Sequence, residues 1–391
     1  MKKHALNALF FIMVLISCEK KAAVKEIPLR SSSFNLKALA DKIIERSKPQ
    51  AGEKVFMIGR PNEFDSLIVF LKDGFAKSGA VYLGTINVDT AQWPVDWNTP
   101  LVQATKGKSR EDIAKILDSL DLSLGIMLPG PTPDDAPYAA WQDVMRKGKG
   151  RAVHFHWAGA NDMQGKGIPM DATTGKIYER VILETDYPSL STMQEQFESA
   201  MRNEILTVTA PGTKLTFKIG DRPVTKQDGD ASKERSMKAR NLIDREVELP
   251  AGAIRVSPLE ETVDGTIAIP DDKWGDDEVK GLVLTFKKGK IADISATEGA
   301  DAVKKVLEPY KDKYLLRELG VGFNPLLAIS DDNQRILHYG YGSGIVRLSL
   351  GNSAELGGLV DVDFVSIWLF PNATVTVGKD VWVKYGKVLK S

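Results

Sequence analysis

The sequence predicts an α/β unit built on a parallel sheet, followed by a strand-rich α+β unit. Three observations lead there. At 391 residues the chain exceeds what one hydrophobic core usually serves, so two domains are expected. Over roughly residues 36–128, helix-spaced apolar positions alternate with short continuous apolar runs, as helices laid on a buried parallel sheet would read. Near Tyr187-Pro188 the character changes, and short runs broken by glycines take over.

The elements follow in order. Leu36, Leu39, Ala40, Ile43 and Ile44 recur at helical spacing and predict an amphipathic helix. Val55-Phe56-Met57-Ile58-Gly59 reads as a buried strand ending on glycine. Residues 64–77 are helical again, and Gly79-Ala80-Val81-Tyr82-Leu83 is the next strand. Ser109 is placed to cap a helix carrying Ile113, Ile116, Leu117 and Leu120, and residues 122–128 supply a third strand. Beyond the change in character, residues 193–202 predict a helix. Strands are expected at 215–220, 254–257, 281–286 and 290–294, and a last helix at 302–310. No glycine-rich phosphate fingerprint follows the first strand, and no repeat of fixed period is visible.

Lys plus Arg and Asp plus Glu both number 52, so the net charge is zero and gives no general attraction to nucleic acid. The densest positive run, Arg146-Lys147-Gly148-Lys149-Gly150-Arg151, reads as a solvated loop. Cys18 is the only cysteine, which excludes an internal disulfide framework.

The first residues carry a second message. Lys2, Lys3 and His4 precede an apolar stretch, residues 9–16, too short for a comfortable membrane span. It ends in Leu15-Ile16-Ser17-Cys18, which resembles the lipobox of bacterial lipoproteins. That resemblance implies diacylglyceryl transfer to the Cys18 sulfur, cleavage before it, and a body outside the cytoplasm, anchored to a membrane of the cell envelope. Two or more acyl chains hold stably, since each buried methylene contributes roughly 0.8 kcal/mol. The expected organisation is a signal peptide (1–17), a tether (18–34), an α/β domain (35–195) and an α+β domain (196–391).

The α+β half carries an ordered series of phrases. Ala210-Pro211-Gly212-Thr213-Lys214-Leu215-Thr216-Phe217 comes first, then Leu249-Pro250-Ala251-Gly252 and Val263-Asp264-Gly265-Thr266. Arg317-Glu318-Leu319-Gly320-Val321-Gly322-Phe323-Asn324-Pro325 and Gly344-Ile345-Val346-Arg347-Leu348 follow, and Val360-Asp361-Val362-Asp363-Phe364-Val365 closes. In this order they resemble the thermophilic metallo-aminopeptidases, the family of aminopeptidase T and aminopeptidase S, over residues 200–391. A ring-cleaving, non-haem iron dioxygenase branch shares that fold.

The resemblance implies two divalent metals held by carboxylates and imidazoles, activating a bridging water. Carried over position by position, the glutamate after the Pro-x-Gly turn falls on Ala253, and the glutamate of Glu-Leu-Gly is kept as Glu318. The first histidine falls on Arg347, the closing histidine on Asp361, and the closing aspartate is kept as Asp363; the family tyrosine has no clear counterpart. An arginine stays protonated and offers a metal no lone pair. Its guanidinium can instead stand in the cation's place and pair with Glu318, Asp361 or Asp363. Asp361 and Asp363 are expected two apart on one strand, facing one side.

Two readings follow. The leading one is a membrane-anchored aminopeptidase-family lipoprotein with a degenerate metal centre, binding a peptide or small molecule. The alternative is an active metal-dependent aminopeptidase, or a related dioxygenase, with a rearranged site of Glu318, Asp361 and Asp363 holding zinc, cobalt or iron. A homodimer is implied by the resemblance, and no nucleic-acid partner is expected. Other candidates read more plainly. Glu260 and Glu261 are expected as solvated carboxylates in a turn, and His338 as a packed or surface histidine. His154 and His156 alternate as on a strand and suggest packing between domains, and Gly340-x-Gly342-x-Gly344 reads as a turn.

Overall fold

The computed structural model describes residues 33–89, 97–163, 165–331 and 333–389. Cys18, the signal peptide, the tether up to residue 32 and the His338 side chain lie outside these. Among the described residues no helix is long and apolar enough to cross a membrane.

The first half is a parallel sheet covered on both faces. Strands β1 (Lys54–Gly59), β2 (Val81–Asn87), β3 (Leu124–Met127) and β4 (Arg151–Phe155) pair in parallel. Helices α1 (Leu36–Ser47) and α2 (Asp65–Lys77) cover one face, burying Leu39, Ile43, Leu67, Leu71 and Phe75 against Val55, Met57 and Val153. After the short α3 (Pro100–Thr105), α4 (Arg110–Ser119) and α5 (Ala136–Arg146) cover the other, packing Ile113, Leu117, Tyr138 and Trp141 on Phe56, Ile58 and Met127. Each side chain so buried contributes roughly 1.5–3 kcal/mol. Ser109 caps α4 by accepting from the Asp112 amide at 3.2 Å, satisfying one of the helix's free N–H groups. Phe34 packs edge-on against Trp157, with ring centroids 5.0 Å apart, so the folded body starts slightly before the first helix.

The basic run is not wholly solvated, as the sequence suggested. Lys147 and Lys149 reach Asp118 on the surface, but Arg151 begins β4 and is buried. Its guanidinium binds both Glu53 oxygens at 2.8 Å and donates to the Ala231, Ser47 and Ser123 carbonyls. A buried arginine needs partners on every face, and this one has them.

The sheet's fifth strand, Glu246–Leu249, comes from far along the chain and lies parallel to β4, with Glu248 opposite His154. It covers the edge that β4 would otherwise expose. After the turn Pro250-Ala251-Gly252 the chain enters a second sheet as the strand Ala253–Val256. Glycine is required in that turn: a Cβ on Gly252 would sit 2.5 Å from the Tyr341 carbonyl oxygen. The second sheet is antiparallel, in the order Val365–Phe370, Val346–Gly351, Leu316–Gly322, Ala253–Val256 and Val224–Lys226. A further antiparallel sheet of eight strands, which includes Leu206–Ala210 and Thr213–Phe217, packs its apolar face into the same core. The α7 helix (Tyr187–Met201; α6 is Ala172–Glu184) leads into this half. A single short stretch, 246–256, therefore joins the parallel sheet to the antiparallel one.

Candidate functional site at the junction of the two sheets

The antiparallel sheet has an apolar face and a charged one, both buried. Ile254, Val256, Leu319, Val321, Val346 and Leu348 point into the core. Alternation turns Arg255, Glu318, Gly320, Arg347 and Ser349 to the other side. The register sets Arg255 and Arg347 on either side of Gly320, and Ser349 beside Glu318. A Cβ on Gly320 would lie 3.2 Å from both the Arg347 Cβ and Nε, so the absence of a side chain there gives that arginine its room.

Glu318 is fully buried, and both of its oxygens are taken by guanidinium groups. Arg255 donates to Oε1 at 2.7 Å and to Oε2 at 3.3 Å. Arg347 donates to Oε1, and Arg317 to Oε2. Ser349 donates to Oε2 at 3.4 Å. Arg255 and Arg317 share the partly exposed Glu355 as a second anion, and Arg317 also donates to the Asn352 carbonyl. Burial works to raise the Glu318 carboxyl, but the charges of Arg255, Arg347 and Arg317 outweigh it and hold the group well below the usual carboxylate range.

The other positions of interest divide. Ala253 is buried on the same strand and face as Arg255, paired with Gly322, and offers no donor atom. Asp361 and Asp363 are not on a strand, as expected from their spacing. They sit exposed in the loop before the strand Val365–Phe370. Asp361 accepts from Asn352 and, through its carbonyl, from Lys313, while Asp363 accepts from the Tyr310 hydroxyl. Neither touches Glu318 or Arg347. The loop turns Val362 inward, and the carboxylates on either side of it face outward. Glu260 also departs from expectation: it is buried, binding Arg222 and the Leu359 amide, while Glu261 is exposed.

A second polar cluster sits across the junction on the parallel sheet. His154 and His156 leave β4 on one face, beside Glu246 and Glu248 of the neighbouring strand. Tyr138 and Gln142, one turn apart on α5, both donate to Glu246, and the His154 Nδ1 lies 2.9 Å from the Tyr138 hydroxyl and 3.3 Å from Glu246. Arg255 comes within 4.0 Å of Glu248, so one arginine touches both clusters. Sequence reasoning missed Arg255, Arg317, Glu248 and Glu355. A signal existed: single charged residues at alternate positions inside otherwise apolar strand runs, as in Ile254-Arg255-Val256, are dearly buried and need partners.

Beside Arg317 a cavity of about 410 Å³ opens between α5 and the antiparallel half, lined by Arg146, Arg240, Arg245, Asn352 and Glu355 among others. Arg245 donates to the Gly150 carbonyl at 3.0 Å and has no carboxylate within ion-pair distance among the described residues.

Residues 187–323, which include the junction turn, Arg255, Arg317 and Glu318, match the model of the thermophilic metalloprotease family M29. Over this segment, about a third of the chain, the sequence is similar to the M29 family. Two solved structures share the fold of this chain. One is 2,5-dihydroxypyridine dioxygenase from Pseudomonas putida KT2440, with a TM-score of 0.60 at 13% identity, covering 91% of this chain and 97% of the other. The other is wild-type AmpT from Thermus thermophilus, with a TM-score of 0.56 at 15% identity, covering 91% and 99%. At such identities the likeness shows the fold: a parallel-sheet α/β half joined to a strand-rich half. No curated protein matches the sequence.

Proposed function

We propose that this chain is a lipid-anchored envelope relative of the M29 family whose family metal centre has been replaced by guanidinium groups, and that it binds a small molecule or peptide end rather than hydrolysing peptides. The observation that carries this reading is Glu318. The one family ligand kept in the buried sheet has both oxygens bonded to Arg255, Arg317 and Arg347. A carboxylate so engaged has no lone pair directed at an open site, and the cations already present repel a metal ion. Ala253 adds no donor, and Asp361 and Asp363 are held elsewhere. A metal held jointly by Glu318, Asp361 and Asp363 draws no support from this arrangement.

Binding is supported by the cavity beside Arg317, where Arg245 has no carboxylate within ion-pair distance among the described residues and can receive a carboxylate or phosphate group, whereas Arg146 and Arg240 pair with Asp143 and Asp221. The envelope location rests on the sequence around Cys18. Cys18→Ser is expected to abolish partitioning into the detergent phase, and unchanged partitioning would refute the anchor.

The central test is catalytic. The full chain, supplied with zinc, cobalt or iron(II), is expected to release no nitroanilide from aminoacyl nitroanilides, and Arg347→His alone is expected to leave it inactive. Hydrolysis by the unsubstituted chain that disappears in Glu318→Gln would overturn the reading.

A further inference from the structure

We infer that His154, His156 and Glu248 form a binding site for a zinc-class divalent ion on the parallel sheet, separate from the family's ligand positions. One nitrogen from each histidine and one carboxylate oxygen from Glu248 lie within 4.8 Å of one another. The set is two imidazoles and one carboxylate, a donor combination that suits zinc and leaves a fourth tetrahedral position for water or a ligand. Metal–ligand bonds of about 2.0–2.2 Å bring donor atoms to within roughly 3.5 Å of each other. The His156 Nε2 and the Glu248 Oε1 stand 4.0 Å apart, so small side-chain rotations suffice to close the site.

The backbone makes the grouping. His154 lies on β4 and His156 just past its end, their rings 3.8 Å apart, and the parallel register brings Glu248 opposite His154. Their side chains are about a tenth exposed, His154 at 13% and the other two at 10%, dry enough for strong coordination and open enough for an ion to enter.

The surroundings fit the same purpose. Metal-binding histidines usually spend their other nitrogen on a carboxylate, which fixes the ring and strengthens it as a donor. His154 does this: its Nδ1 meets Glu246, which Tyr138 and Gln142 hold in place from α5, and Nε2 remains to face the ion. The His156 ring is held edge-on by Tyr339, with centroids 5.3 Å apart. A pair of merely packed histidines would not need a buried carboxylate behind one ring and a second in front of both.

The test uses the full chain, stripped with a chelator and then titrated with zinc or cobalt(II). One ion per chain is expected. His154→Ala and His156→Ala are expected to lose the stoichiometric ion. Glu246→Gln, which does not touch the ion, is expected to weaken it about 10–100-fold while the stoichiometry at saturating metal stays at one. Should an alanine variant fail to fold, His156→Gln and Glu246→Gln carry the test. Glu318→Gln, on the antiparallel sheet, is expected to retain the metal. A chain that binds neither zinc nor cobalt overturns this site and leaves the reading of the arginine-filled centre standing. An ion lost in Glu318→Gln but kept in His154→Ala overturns both.

Discussion

Two buried polar clusters meet at the junction, and they solve the same electrostatic problem in opposite ways. Around Glu318 the sheet supplies its own cations: three guanidiniums face Glu318 and Glu355, and the charge is settled by covalent parts of the chain. Around Glu248 the sheet supplies donor atoms: two imidazoles and the carboxylates Glu246 and Glu248 gather, with Arg255 at 4.0 Å as the nearest full positive charge. On the readings proposed above, the first arrangement is closed to an external cation and the second is suited to one. What a polar cluster can bind thus depends less on how many carboxylates it holds than on whether the chain has already neutralised them.

The comparison can be broken experimentally, most severely at Glu318. Glu318→Gln removes the one carboxylate that pairs with buried Arg347 and the main partner of Arg255 and Arg317, which keep the partly exposed Glu355, and a loss of about 3–5 kcal/mol is expected in denaturant unfolding. The pH dependence has a definite sign. A carboxyl held well below its unfolded value of about 4.3 stabilises the fold above that pH and ceases to do so as acid protonates it. The gap between the unsubstituted chain and Glu318→Gln should therefore be constant from neutrality to about pH 5 and narrow below about pH 4. A gap that widens in acid would mean that Glu318 is not ionised in the fold.

Arg347→Ala is the milder cut. Glu318 keeps Arg255 and Arg317, so the expected loss is about 1–3 kcal/mol, mainly one charge-assisted hydrogen bond and its packing. A loss as large as that of Glu318→Gln would show that Arg347 alone balances the carboxylate. The smallest effect is expected at the loop. Asp361→Asn with Asp363→Asn should change stability by less than about 0.5 kcal/mol, since both side chains are exposed, and thermal melting checks it. A larger change would mean that the loop's carboxylates take part in the buried cluster after all.

The elements themselves were written locally. Apolar spacing found α1, three strands of the parallel sheet and four strands of the second half, and Ser109 announced its helix, because periodicity and capping act over a few residues. The motif series was likewise legible, and with it Glu318 and Arg347 as residues of interest. Partnership was not legible. That Glu246–Leu249 would cross over to close the first sheet, and so set Glu248 opposite His154, is a choice among competing edges decided by packing of the whole chain. Arg255 and Arg317 join Glu318 only because three strands align in one register and Gly320 leaves room between the two arginines that flank it. Asp361 and Asp363 show the converse: their spacing suited a strand, but Val362 had an apolar pocket to fill and drew the loop inward between them. Sequence fixes what each side chain can offer over short distances, whereas long-range register decides which offers meet, because a shift of one residue in pairing turns every side chain of a strand to the opposite face.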